Sequence, residues 1–181
     1  MTSSFLRSEI LQKHSKAQTM HIVHQIGDDR AAFDELMQLF LHDEYRVVQR
    51  AAWVVSYCLE AHPEWAPDYL PDLLKNLKNP VHDAVKRNTV KCLEFVAIPE
   101  ELVGEAVNTL FQFLADPREP IAVRCYSMTA LFNVCKHEPD LLEELRLTIE
   151  DMMPYATAGL RARGSGVLKE ISKLVPKSFP G

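Results

Sequence analysis

The chain is poor in glycine and cysteine, with 6 and 4 among its 181 residues. So few glycines disfavour a sheet-rich fold, because the tight turns of such folds depend on glycine. The cysteines show no CxxC spacing, so we expect reduced thiols rather than a disulfide framework or a zinc site. No segment approaches the ~18 apolar residues of a membrane span, and the N-terminus lacks the pattern of a secretory signal. These absences predict a cytoplasmic protein that does not bind a membrane.

Apolar residues make up 47% and charged residues 25% of the chain, as in an ordinary folded protein. The length suits one domain with its own core. A net charge of −5 argues against a general coat for nucleic acid or anionic membranes. His21 and His24 lie one helical turn apart, but no third ligand stands at a metal-binding spacing. We therefore expect no metal, no cofactor and no catalytic residues, and the sequence disfavours an enzyme without excluding one.

One sequence pattern occurs four times along the chain. The four copies begin at Val48, Val85, Val123 and Leu160, at intervals of 37, 38 and 37 residues. Offsets 0, 4, 7, 8 and 11 of each copy form one stripe of a helix, with small residues at offset 4 where helices can approach closely. A second apolar helix precedes each copy, and in the first three it is marked by Leu36, Leu73 and Leu110.

The two helices of a repeat are separated by a turn that contains an acid or amide and often a proline, such as Asn79–Pro80 and Asp116–Pro117. Asp and Asn cap the following helix, and Pro cannot continue the preceding one. The N-terminal segment fits a partial repeat, with a short helix expected over Phe5–Gln12. We therefore predict an all-α fold, an α-α superhelix of about four helix pairs with an N-terminal helical cap.

This pattern, clearest over 73–96 and 110–134, resembles that of HEAT-like repeat proteins, which are α-solenoids. The resemblance covers roughly residues 30–175, and it implies that first helices line the convex side and second helices the concave side. We divide the chain, as a single domain, into a cap at 1–27, repeats at 28–61, 62–98, 99–136 and 137–175, and a tail at 176–181. The fourth repeat departs from the pattern, because Gly159, Gly164 and Gly166 fall inside its second helix and lower its stability.

Charge is distributed unevenly between the two predicted sides. The first helices with their flanking turns carry a net −13, whereas the second helices carry +6. We expect the outward offsets of the second helices to form a basic and aromatic concave face. Its candidate partner-binding residues are Arg50, Tyr57, Arg87, Asn88, Lys91, Tyr126, Arg163 and Lys169. Arginine suits bidentate contact with carboxylates or phosphates, and tyrosine adds apolar area with a polar tip.

The sequence favours a non-enzymatic scaffold that binds a protein or an acidic peptide on this face. The alternative is a nucleic-acid-binding protein related in fold to the HEAT-like alkylpurine DNA glycosylases. Those enzymes place an essential Asp in the basic channel. At the outward offsets of the second helices, this chain has Glu94 and Glu170 as its only acids and has no Asp. Two further possibilities stay open. The chain could associate with itself through an exposed end of the solenoid, or the basic and aromatic face could be solvated without binding a partner.

Several single residues carry weaker signals. Cys58 and Cys92 fall on or beside the apolar stripe, so we expect them in the core, whereas Cys125 stands at an outward offset. Trp53 lies next to the small-residue column and is expected in the core or packed between two repeats. Trp65 stands in a Pro-rich loop that it could fasten to the helices.

Overall fold

The computed structural model describes residues 5–78, 82–136 and 138–174. These residues form α-helices, two single-turn 3₁₀ helices and connecting turns, and no strand occurs among them. The α-helices are α1 (Phe5–Gln12), α2 (Lys16–Ile26), α3 (Arg30–His42), α4 (Tyr45–Ala61), α5 (Leu70–Leu77), α6 (Asp83–Cys92), α7 (Glu100–Ala115), α8 (Ile121–Cys135), α9 (Pro139–Met152) and α10 (Ala158–Leu174). The prediction of an all-α fold of paired helices behind a helical cap is confirmed. The predicted turn at Asn79–Pro80 and the tail at 176–181 lie outside the described residues.

Side chains at the helix ends explain where several helices begin. The side chain of Ser15 accepts a hydrogen bond from the backbone N–H of Gln18, and so caps α2. Asp29 caps α3 by accepting from Ala31 and Ala32. Gly27, at φ +48°, ends α2 in a conformation that other residues rarely adopt. His82 caps α6 with an imidazole nitrogen, Nδ1, which accepts the N–H of Ala84 at 3.0 Å.

The chain divides into two compact units, residues 1–97 and 98–181. In the first unit α4 is the central helix and packs against α1, α2, α3 and α6. Eight of its 17 residues are buried, because neighbours surround it on several sides. Phe33, Leu36 and Phe40 of α3 are buried in the same core. The ion pair of Arg7 with Asp43 joins α1 to the turn between α3 and α4, with nitrogen–oxygen distances of 2.9 and 3.1 Å.

In the second unit α8 is central and packs against α7, α9 and α10. Helix α10 is continuous through its three glycines. A Cβ placed on Gly164 would stand 2.9 Å from Sδ of Met153 and 3.2 Å from Cγ2 of Ile149. The absence of a side chain at Gly164 thus permits close packing of α10 on the preceding helix and turn.

The predicted core is confirmed. Leu73, Val85, Leu110, Val123 and Ala130 are each at most 2% exposed.

The two tryptophans differ in their surroundings. Trp65 is buried and stacks on His62, with ring centroids 4.0 Å apart. Its ring centroid lies 5.0 Å from that of Phe33 on α3, so Trp65 holds its loop against α3. Trp53 is not in the core, since its side chain is partly exposed on α4; its expected position between repeats stays a prediction.

Candidate interaction surfaces

The exposed side of α4 carries two neighbouring aromatic rings. Trp53 and Tyr57 are one helical turn apart, both partly exposed, with ring centroids separated by 6.3 Å. His14, from the turn between α1 and α2, adds a third ring 5.9 Å from Trp53. Most other side chains of the last three turns of α4 are buried, so these rings dominate what this helix offers to solvent.

Helix α6 places a cation beside one of these rings. The ammonium of Lys91 lies 4.9 Å from the ring centroid of Tyr57, within the range of a cation–π interaction. It also lies 2.8 Å from Oε2 of Glu60. Arg87, one turn before Lys91, is exposed. We call the set His14, Trp53, Tyr57, Arg87 and Lys91 the aromatic face of the first unit.

Two predicted site residues of the first unit have structural surroundings instead. Nη1 of Arg50 donates to the carbonyl oxygen of Leu11 at 2.8 Å and to that of Ile10 at 3.3 Å. These carbonyls end α1, where helix geometry leaves them without intrahelical donors. Arg50 is therefore engaged in holding the cap helix.

Asn88 was expected to face solvent, and this is wrong. It is 5% exposed, and its amide donates to the carbonyl oxygen of Ala84 at 2.7 Å. The reason is the width of the buried stripe of α6. Val85, Thr89 and Cys92 are buried, and Asn88 occupies the neighbouring i+3 position of the same stripe.

In the second unit a groove runs between α8 and α10, with a volume of about 620 Å³. We call it the α8–α10 groove. It is lined by Cys125, Thr129, Phe132, Asn133, Gly159, Ala162, Arg163, Gly166, Val167 and Glu170. Nη1 of Arg163 donates to Oγ1 of Thr129 at 2.6 Å across the two helices. The two other predicted site residues of this unit lie outside the lining set: Lys169 is exposed and Tyr126 is partly exposed.

The cysteines fall into two groups. Burial raises the pKa of Cys58 and of Cys92 to about 12, and that of Cys135 to about 11. These three side chains stay protonated thiols at neutral pH, which makes them poor nucleophiles and metal ligands. The expectation that Cys58 and Cys92 lie in the core is confirmed. Cys125 is partly exposed in the α8–α10 groove.

From the sequence, Trp53 was not expected at the surface, and His14 was expected to be solvated near a helix end but not to lie beside Trp53. A signal for Trp53 was present, since Arg50, Trp53 and Tyr57 follow the i, i+3, i+7 spacing of one helix face. No comparable signal existed for His14, because its position beside Trp53 depends on how the cap helices pack on α4. The α8–α10 groove was likewise not predicted, since it arises from two helices and three small side chains together.

The described residues contain no group of three or more His, Cys, Asp or Glu side chains that could hold a metal ion. None of the helices in this described part of the chain is long and apolar enough to cross a membrane.

Within residues 5–78, 82–136 and 138–174, ten α-helices follow each other in consecutive pairs, and the sequence repeats every 37 or 38 residues. These features define a helical repeat protein. The chain matches the family model of the HEAT repeat domain over residues 6–171, and it belongs to this family. No curated protein matches the chain, and no solved structure matches it. HEAT repeats generally serve as scaffolds for protein interactions.

Proposed function

We propose that this protein is a scaffold that binds an acidic segment of a partner protein on the aromatic face of its first unit. The observation that carries the proposal is the pair of partly exposed rings, Trp53 and Tyr57, with the ammonium of Lys91 over the ring of Tyr57. Arg87 lies one turn before Lys91 on α6 and is exposed. Tryptophan, tyrosine and arginine are the residue types that contribute most of the free energy at protein interfaces. Their arrangement on two packed helices is ordered before any partner binds, which limits the entropy cost of association.

The charge of the face favours a carboxylate ligand. The carboxylate of Glu60, which now pairs with Lys91, belongs to a side chain that is 52% exposed. A partner carboxylate can therefore replace it at Lys91, because Glu60 then turns to water without leaving a charge buried. Arg87 offers a second, planar site for a carboxylate one turn away. A segment with two acids about one helical turn apart and an apolar side chain between them fits this chemistry.

The test is affinity capture with the full chain as bait, comparing wild type with Tyr57→Ala and Arg87→Glu. Both changes lie at exposed or partly exposed positions, so the fold should survive, which circular dichroism can check. We expect a specific protein captured by wild type to be lost with both variants. Lys75→Glu is the charge-matched control, since Lys75 is exposed on α5 away from this face. Capture that survives both variants would place partner binding elsewhere.

Binding to nucleic acid, the alternative, predicts a different result in the same experiment. Captured proteins would then disappear after nuclease treatment, and affinity for duplex DNA would fall steeply with salt, with a log–log slope of about −0.9 per phosphate contact. A peptide anchored by two aromatic rings depends less on salt, because the apolar contribution is not screened.

The proposal places the protein in the cytoplasm. It is supported by four cysteines that are all free thiols, three of them buried, as expected in a reducing compartment. Fluorescence of a tagged full-length chain in cells tests this location.

A further inference from the structure

The α8–α10 groove has one low wall. Along α10 the wall is formed by Gly159, Ala162, Arg163, Gly166 and Glu170, which follow each other at helical spacing. The eleven steps from Gly159 to Glu170 correspond to about 16 Å at 1.5 Å per residue. The groove is therefore long enough to contact about three turns of another helix.

The glycines of this wall are not required by the packing of the second unit. A Cβ built on Gly159 or Gly166 meets no atom within 4 Å, unlike one built on Gly164. Glycine inside a helix lowers its stability relative to alanine. At Gly166, in the middle of α10, that loss is not compensated by any close contact. Gly166 leaves space in which a side chain of another molecule can approach the backbone of α10.

The lining of the groove combines apolar side chains with one cation, Arg163, and one carboxylate, Glu170. Phe132, Ala162 and Val167 supply apolar surface. Arg163 is held in place by its hydrogen bond to Thr129. Helix α10 carries four basic residues and only one acid. A helix that displays an apolar residue among acidic residues would match both the apolar lining of the groove and the basic charge of α10.

The second unit itself displays such a helix. On α9, Leu147 is 47% exposed, although it is a large apolar residue. Glu143 and Glu144 lie one turn before it, and Glu150 and Asp151 one turn after, all of them exposed. Helix α7 is also acidic, but none of its large apolar residues is among the well-exposed ones in the described part of the chain. Arg146, beside Leu147, pairs with Glu143 and Glu150 at nitrogen–oxygen distances of 2.6 Å, so four acids and one cation leave this face an excess of three negative charges. The combination of an exposed leucine with this excess of acids distinguishes α9.

We propose that the α8–α10 groove binds helix α9 of a second copy of this chain. Leu147 of one copy lies over the low wall at Gly166, and the acids beside it face Arg163 and Lys169. Leu147 does not line the groove, so one copy uses a different surface from the other. Such a contact is heterologous, and repetition joins copies head to tail into a ring or an open chain. This self-association is independent of partner binding by the first unit.

The test measures the mass of the full chain by sedimentation velocity over a roughly hundredfold range of concentration, since self-association follows mass action. We expect the mean mass of wild type to rise from one copy to two or more. Gly166→Leu fills the groove and Leu147→Lys places a cation against the basic groove, so each variant should stay monomeric. Both positions are exposed and both new residues are good helix formers, so the fold should be retained.

The matched control is Gly104→Leu on α7, where a Cβ also meets open space but lies outside the groove. This variant should assemble like wild type. Arg87→Glu, on the first unit, should also leave the mass unchanged, which separates this proposal from the proposed partner binding.

Mixing the two monomeric variants provides the sharpest readout. Gly166→Leu retains an intact α9, and Leu147→Lys retains an intact groove. An equimolar mixture should therefore form a one-to-one dimer that neither variant forms alone, and that cannot grow further. The proposal is overturned if wild type stays monomeric over the whole range, if either variant still assembles, or if the mixture gives no dimer.

Discussion

Arg50 and Leu11 are joined by a hydrogen bond of 2.8 Å from Nη1 of the guanidinium to the backbone carbonyl oxygen. Leu11 lies in the last turn of α1, where the carbonyl oxygens have no N–H donor within the helix and the negative end of the helix dipole lies. A cation that donates hydrogen bonds there supplies the missing donors and interacts favourably with the dipole. The bond connects residues 39 positions apart, so it fixes the cap helix to the centre of the first unit.

Replacing Arg50 should therefore affect stability and not only binding. We expect Arg50→Ala to lower the free energy of unfolding by about 1–3 kcal/mol, because it removes charge-assisted hydrogen bonds to two carbonyls. Arg87→Ala, an exposed position on α6, should change it by less than about 0.5 kcal/mol. Urea unfolding followed by circular dichroism measures both. Equal losses for the two variants would mean that Arg50 does not hold α1.

The ion pair of Arg7 with Asp43 predicts a dependence of stability on pH. The hydrogen bonds from Arg7 hold the pKa of the Asp43 carboxyl below its ordinary value. The stabilisation is thus fully present above the pKa of the unfolded chain, about 3.9, and is lost as pH falls through the lower folded value. Asp43→Asn should accordingly be less stable than wild type at neutral pH, and the difference should narrow in acid.

Urea unfolding at a series of pH values between neutral and strongly acidic tests this expectation. Glu35→Gln serves as the control, since Glu35 is exposed on α3, the helix that ends just before Asp43, and its effect should be small throughout. If the gap between wild type and Asp43→Asn stays constant as pH falls, the ion pair does not contribute to folding.

Much of the fold could be predicted because repeated apolar spacing is a local property of the sequence. The first cap helix was predicted over Phe5–Gln12 and occurs there. Four of the five positions of the stripe that begins at Val123 are buried on α8, whereas the fifth, Val134, is partly exposed. Helical periodicity depends only on residues a few positions apart, so a single repeat contains the information.

The candidate sites were predicted less well because exposure depends on distant residues. Arg50 stands at an outward offset of α4, but the end of α1 reaches it from 39 residues away. Asn88 is one position beside the apolar stripe, and only the packing around α6 shows that it is buried. The α8–α10 groove requires two helices in contact, which no offset within one helix can show.

Gly164 and Gly166, two residues apart on α10, should respond differently to the same substitution. Gly166→Ala should raise the free energy of unfolding by about 0.5–1 kcal/mol, since alanine is the better helix former and its Cβ enters open space. Gly164→Ala should gain less or lose stability, because its Cβ displaces Met153 and crowds Ile149. Gly164→Leu should cost about 1–3 kcal/mol by overpacking.

Thermal unfolding of the three variants at low protein concentration gives this ranking. Gly166→Ala must melt above wild type and Gly164→Leu below it. The reverse order would show that α10 packs through another face than the one described.

Cys125 should be the one thiol that reacts in the folded protein. The three other thiols, those of Cys58, Cys92 and Cys135, are buried. Burial keeps their pKa values at about 11 to 12, so at pH 8 they are protonated and a reagent cannot reach them. Titration with a coloured disulfide reagent should give one rapid equivalent in the native state and four after denaturation. Cys125→Ser should abolish the rapid equivalent while leaving three on denaturation. More than one rapid equivalent in wild type would contradict the assignment of the three buried thiols.

Since Cys125 lines the α8–α10 groove, a bulky label on it should also hold the full chain monomeric under conditions where unlabelled protein assembles.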